Sequence, residues 1–350
     1  MTHKVNNHHL HQPTAAAIWQ GRTDSEDGSS GKRFHHMVKI VERNKAFEPN
    51  TSGITLLGFC CDQGVRRNKG RVGAFHGPDL IRQALANSAW HHQTDSKTAS
   101  FYDAGNIFCH GKNLEESQKV LAKQVQIALK QEHKVMVLGG GHEIAWGSFQ
   151  GLAAHLQEAN VSAPKIGIVN FDAHFDLRSY AQDSAQYSGS SGSPFRQIAD
   201  FCKMQGWTFN YACLGVSRAS NTQALFSCAD SLKVFYREDK QLASHLLQKR
   251  ITELTQFIAQ VDYLYLTIDM DAFSAGIAPG VSAPAARGLS YETVERLLQP
   301  IFEATDKKGK AKLLLADLAE YNPAFDIDKQ TARLAARLVW DISHAMFKNN

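Results

Sequence analysis

From residue 134 onward the chain alternates apolar runs with helix-forming stretches so regularly that few architectures can accommodate it. The runs 134–138, 165–169, 211–216, 232–235, 263–268 and 311–315 read as strands, and helices are expected over 144–158, 194–204, 222–228, 241–260, 291–303 and 328–347. Several strands lack any polar alternation, as in Tyr263-Leu264-Tyr265-Leu266, which is the pattern of a parallel sheet covered on both faces. Upstream stand a strand at 54–60, a long basic loop at 62–71, a helix opened by Gly77-Pro78 and another helix at 114–131. The expected fold is a single α/β domain of three layers, αβα, around a doubly wound and mostly parallel sheet. It is expected to span 16–350. Residues 1–15 are expected to form a flexible tail, because His3, His8, His9 and His11 have neither carboxylate neighbours nor a scaffold to fix their rings.

Composition removes several classes of function. With 38 basic against 34 acidic residues the formal charge is only +4, so the chain carries no nucleic-acid footprint. No apolar run approaches the ~18 residues that would suggest a membrane span. The amino terminus lacks the apolar core of a signal peptide, so the cytoplasm is the expected location. Cysteines at 60, 61, 109, 202, 213 and 228 have no regular spacing, which argues against both a disulfide framework and a zinc ribbon. Adjacent Cys60 and Cys61 read as small apolar residues that end a strand.

In doubly wound sheets ligands lie beyond the carboxyl ends of the strands. Three of those ends carry chemistry. Gly139-Gly140-Gly141-His142-Glu143 follows the first run, but it matches neither a dinucleotide fingerprint nor a Walker loop, since Ile144 stands at the third glycine position and no Lys-Ser or Lys-Thr follows. Asp172, His174 and Asp176 follow the second at alternate positions, a spacing that on a strand would place all three on one face. Asp269 and Asp271 end a third. Together His142, Asp172, His174, Asp176, Asp269 and Asp271 offer four carboxylates, two imidazoles and no thiolate. Such a hard, oxygen-rich set suits Mn²⁺ rather than a single tetrahedral zinc, and four carboxylates roughly balance two divalent ions. A pair of metals that activates a bridging water implies hydrolysis of a small molecule.

These motifs resemble the signatures of the ureohydrolases, the arginase and agmatinase superfamily: a glycine-rich turn ending in His, D-A-H-x-D, and S-x-D-x-D. Here they stand as Gly139-Gly140-Gly141-His142, Asp172-Ala173-His174-Phe175-Asp176 and Thr267-Ile268-Asp269-Met270-Asp271. Glu320-Tyr321-Asn322-Pro323 is similar to the E-x-N-P segment whose Glu grips the substrate's amidine nitrogens. The resemblance implies an arginase-like fold, two Mn²⁺ per subunit and homo-oligomers. It places His142, Asp172, Asp176 and Asp269 on one ion and Asp172, His174, Asp269 and Asp271 on the other.

Departures from arginase narrow the branch. Ser191-Gly192-Ser193-Pro194 replaces H-G-x-P and its proton-shuttling His, the turn ends His142-Glu143, Ser274-Ala275 replaces Asp-Pro, and Arg178 stands where arginase has Asn. The chain is most similar to the branch that hydrolyses N-formimidoyl-L-glutamate to L-glutamate and formamide in histidine degradation. That substrate presents two carboxylates, which a planar guanidinium matches, so Arg178, Arg196, Arg67 and Arg71 are candidate binders, with Arg178 foremost. The resemblance further implies attack on the formimidoyl carbon by a metal-bridging hydroxide, with Glu320 steadying the amidine and Asp176 carrying the proton to the leaving nitrogen. Two rivals remain: a ureohydrolase of agmatinase or guanidinobutyrase type that releases urea, and a non-catalytic metal-binding protein on the same fold.

Overall fold

The structure is a computed structural model that describes residues 10–42, 52–91, 99–181 and 188–348. In chain order the strands are β1 (His11–Gln12), β2 (Val38–Ile40), β3 (Ser52–Cys60), β4 (Ala99–Phe108), β5 (His133–Leu138), β6 (Ile166–Phe171), β7 (Asn210–Val216), β8 (Phe235–Glu238), β9 (Tyr263–Asp269) and β10 (Leu313–Ala319). The α-helices are α1 (Phe34–Met37), α2 (Gln63–Arg67), α3 (Gly77–Ala86), α4 (Leu114–Lys130), α5 (Ile144–Glu158), α6 (Pro194–Gln205), α7 (Gln223–Ser231), α8 (Leu247–Ala259), α9 (Tyr291–Phe302) and α10 (Gln330–Lys348). The strands form one sheet in the order β1-β4-β3-β5-β10-β9-β6-β7-β8, with β2 joined to β4. Every pairing is parallel except β1 with β4. Helices cover both faces, so alternate residues of one strand enter two different cores. In β3, Ile54 and Leu56 pack toward α3, α9 and α10, whereas Leu57 and Phe59 pack toward α4 and α5. This is the expected three-layer, mostly parallel αβα sheet.

Several boundaries differ from the expectation, each for a local reason. Residues 1–9 of the expected tail lie outside the described residues, but the tail does not extend to residue 15. Leu10 is buried and β1 pairs with β4, which anchors the chain there. The basic stretch at 62–71 contains α2. The helix expected over 241–260 begins only at Leu247, preceded by two 3-10 turns at Asp239–Leu242 and Ser244–Leu246. Strand β8 sits three residues later than expected, because Lys233 turns the chain with φ +56° after α7. No described helix is long and apolar enough to cross a membrane.

The arrangement that matters most is at the centre of the sheet. Strands β5, β10, β9 and β6 are consecutive neighbours, and their registers (Leu318 opposite Leu138, Ala319 opposite Asp269, Phe171 opposite Ile268) bring their carboxyl ends level. Any side chains on the loops just beyond these ends meet over one small area.

Candidate metal centre

All six candidate ligands converge there, although not in the manner their spacing implies. β6 ends at Phe171, so residues 172–176 form a loop and the shared-face argument does not apply. Loop geometry performs the convergence instead: Asp176 takes a left-handed backbone with φ +49°, a conformation uncommon for a non-glycine residue. The loop is held by Asn221, whose Oδ1 accepts the Phe175 N–H at 3.1 Å while its Nδ2 donates to the Ala173 carbonyl at 2.9 Å. Two donor groups result. His142 Nδ1 lies 3.0 Å from Asp172 Oδ2, 3.0 Å from Asp176 Oδ2 and 3.1 Å from Asp269 Oδ2. His174 Nδ1 lies 3.1 Å from Asp271 Oδ2 and 3.5 Å from Asp172 Oδ1. Asp172 belongs to both groups, whereas Asp269 belongs only to the first. The other Asp269 oxygen accepts the Asp271 N–H at 2.7 Å and caps the turn after β9.

Electrostatics register how crowded this charge is. Asp269 is held well above the ordinary carboxylate range by burial and by the nearby charges of Asp271 and Asp172. Asp176 is pushed up to about 6 by burial and by Asp172. Asp172 goes the other way: burial would raise it, but its bonds to His142 and His174 outweigh that and hold it low. Burial would likewise favour a neutral His142, yet the three carboxylates around it raise its basicity well above normal. A divalent cation fits this set. Buried carboxylates that repel one another need positive charge between them, His142 Nδ1 points at three carboxylate oxygens at once, and Asp271 Oδ1 is buried with no hydrogen-bond partner of its own. The ring is already aimed, because His142 Nε2 bonds Thr267 Oγ1 at 2.9 Å, leaving Nδ1 to face the carboxylates. The hydroxyl of Thr267 thereby gains a role that spacing in the sequence does not disclose.

Beside the second group opens a cavity of about 200 Å³, lined among others by Val65, Asn68, His174, Asp176, Arg178, Ser191, Asn221, Asp271 and Glu320. Glu320 has φ +64°; its Oε1 accepts the His142 N–H at 2.9 Å, and its Oε2 is buried without a hydrogen-bond partner. Burial and the nearby Glu143 hold its carboxyl well above the normal range.

Of the four candidate arginines only Arg178 lines this cavity. Arg67 forks onto Glu115 and donates to the Gly189 carbonyl at 2.9 Å. Arg71 donates to the carbonyls of Ser282 (2.8 Å) and Val281 (2.7 Å) and stacks on Phe325. Arg196 turns to Cys228 at 3.2 Å and Asp200 at 3.5 Å. These three hold protein partners, and Arg178 is the one of the four that lines the cavity. Arg178 itself runs over Gly192, where a Cβ would come within 2.8 Å of Arg178 Cδ and 3.0 Å of Asn68 Nδ2. Gly192→Ala is therefore expected to displace Arg178 and raise KM about tenfold with little change in kcat, a split that steady-state kinetics would reveal.

Of the residues that depart from the arginase pattern, Ser191 lines the cavity and Glu143 does not. Glu143 is fully buried, accepting the Gly64 N–H at 2.8 Å and the Cys61 thiol at 3.3 Å on Oε1. Burial pushes it up to about 7 from an ordinary value of 4.5. Its neutral form is thus favoured in the folded state, and the stability this contributes is lost progressively as pH rises from the ordinary value of 4.5 to about 7. Glu143→Gln removes that loss, so its melting temperature relative to the wild type is expected to rise over that range and to level off above it. A constant difference across that range, by calorimetry at fixed metal concentration, would refute the assignment.

An αβα sheet with a carboxylate and imidazole cage over its central strands has close counterparts. Residues 52–344 match the Arginase family model, and the chain belongs to the arginase family. A formimidoylglutamase of Photobacterium profundum is 52% identical over 356 aligned positions, covering 94% of this chain and 95% of that protein. Among solved structures, formimidoylglutamase from Bacillus subtilis subsp. subtilis str. 168 has a similar fold with a TM-score of 0.72 at 21% identity, covering 91% of this chain and 95% of that one. Formiminoglutamase from Trypanosoma cruzi with Mn²⁺ gives 0.69 at 22% identity, covering 85% and 94%.

Proposed function

We propose that the protein hydrolyses N-formimidoyl-L-glutamate to L-glutamate and formamide, with two Mn²⁺ held by His142, Asp172, Asp176 and Asp269 and by Asp172, His174 and Asp271. One observation carries the choice of substrate: the cavity beside the cage is lined by both Arg178 and Glu320, and one Glu320 oxygen has no hydrogen-bond partner. That pairs a carboxylate receptor with an amidine receptor. The identity to the Photobacterium formimidoylglutamase along nearly the whole chain supports the same reading.

Bound divalent ions would supply Lewis acidity and a hydrolytic water activated at neutral pH. The chain's own groups do the rest. Glu320 Oε2 accepts an amidine N–H and orients the formimidoyl carbon toward the cage. Arg178 binds a glutamate carboxylate and fixes the other end, which converts binding into orientation. Asp176 lines the same cavity and carries the proton to the leaving glutamate nitrogen. Incubating manganese-loaded protein with formimidoylglutamate, arginine and agmatine tests this. Formamide from the first alone is expected; urea from a guanidino compound would replace the proposal, and inactivity on all three would favour a non-catalytic metal protein.

A further inference from the structure

Cys60 and Cys61 are adjacent in sequence but do not share a face of the sheet. Cys60 has Asp79 and Arg82 of α3 as its charged neighbours, whereas Cys61 packs with Phe59 and Ile107 in the core beneath α4 and α5. Its neighbour on that face is Cys109. β3 and β4 run parallel with Phe59 opposite Ile107 and Cys60 opposite Phe108. The Cys109 N–H donates to the Cys60 carbonyl at 3.0 Å, so the ladder continues and sets residues 61 and 109 side by side. Both side chains belong to the same buried cluster, near enough that each thiol perturbs the acidity of the other. Neighbours on paired strands stand about 4.8 Å apart, within the Cα span of about 4.4 to 6.8 Å that a disulfide bridges.

This pair touches the catalytic region through one bond. The Cys61 thiol donates to Glu143 Oε1, the oxygen that also holds the Gly64 N–H at the start of α2. Glu143 directly follows His142, and the chain after α2 brings Asn68 into the cavity.

We propose that Cys61 and Cys109 form a reversible intrachain disulfide on exposure to peroxides, and that its closure slows hydrolysis by withdrawing the Cys61 thiol from Glu143. The effect on activity rests on the hydrolase reading above; the disulfide does not. Cys109 is the attacking sulfur: the neighbouring Cys61, helped by Ser117, lowers its pKa, while burial raises that of Cys61. The Cys109 thiolate attacks one peroxide oxygen, the O–O bond breaks, and hydroxide leaves a sulfenic acid behind. The Cys61 sulfur then attacks the Cys109 sulfur, the S–O bond breaks, and the hydroxyl departs with the Cys61 proton as water. Two thiols give up two electrons and one hydrogen peroxide ends as two waters.

The test treats manganese-loaded protein with hydrogen peroxide, maps disulfides by mass spectrometry after thiol blocking and digestion, and assays formimidoylglutamate hydrolysis. The expected result is a 61–109 cross-link, reversed by dithiothreitol, with kcat/KM lower by about fivefold while it is closed. Cys109→Ser should keep the reduced activity and lose both cross-link and sensitivity, whereas Cys60→Ser should keep both. Absence of the 61–109 cross-link while other thiols oxidise overturns the proposal. So does inhibition that persists in Cys109→Ser, and equal activity of the open and closed forms overturns the functional half. A cross-link in protein that is inactive even when reduced counts against the hydrolase reading and leaves the disulfide standing.

Discussion

Asp172→Ala is expected to empty both donor groups of metal and to lower formimidoylglutamate turnover by at least ~10³-fold, the several kcal/mol that metal activation contributes. The size of the effect follows from position. Asp172 is the one residue whose oxygens face both imidazoles, Oδ2 toward His142 at 3.0 Å and Oδ1 toward His174 at 3.5 Å. Asp271 serves a single group, so Asp271→Ala should lose metal from one group and retain it in the other. Either variant relieves repulsion on Asp269, but Asp172→Ala also strands the His174 N–H and the Asn170 amide that Asp172 accepts at 2.7 and 3.0 Å, so some loss of stability is expected there. Metal content by plasma mass spectrometry, read alongside kcat/KM and circular dichroism, separates the cases. Folded Asp172→Ala with a full complement of metal would sink the shared-ligand assignment.

How far such a site can be read from sequence depends on which interactions are local. The three strand ends were legible because a buried parallel strand needs an unbroken apolar run, and His142, Asp172 and Asp269 stand out as polar groups close behind such runs. Strand β4 was not legible. Its sequence Ala-Ser-Phe-Tyr-Asp-Ala-Gly-Asn-Ile-Phe contains Asp103, Gly105 and Asn106, which look like a turn until Arg82 from α3 satisfies them. The arginines failed for the same reason. Arg67, Arg71 and Arg196 are plausible carboxylate binders by charge alone, and what turns Arg67 and Arg71 to other partners is a residue distant in sequence or a carbonyl, neither of which leaves a pattern, whereas the Arg196–Asp200 pair is a legible i,i+4 spacing. Asn221 is the converse case, a residue without a motif that holds the 172–176 loop through two backbone bonds. Spacing announces ligands; it does not announce what aims them.

The largest effect on stability is expected far from the metals, at Asp103. Both of its oxygens are taken by Arg82, at 2.9 Å from Nε and 2.9 Å from Nη2, and one also accepts Trp19 Nε1 at 2.7 Å. Arg82 and Asp103 are entirely buried. A pair of this kind adds little over a well-packed apolar pair, because desolvation consumes most of the attraction, but removing one partner strands the other charge in the core. Asp103→Ala should therefore destabilise the protein by about 3–5 kcal/mol, lowering the urea midpoint while leaving kcat/KM of the still-folded enzyme unchanged. The damage should also spread to the N-terminal segment, which Trp19 fastens to β4 through the same carboxylate. Replacing both partners together, as Arg82→Met with Asp103→Leu, should cost less than Asp103→Ala alone, since no charge is then left unpaired. If the double variant proved less stable than the single one, the pair would be contributing net attraction, and the account of it as a charge that must merely be matched would be wrong.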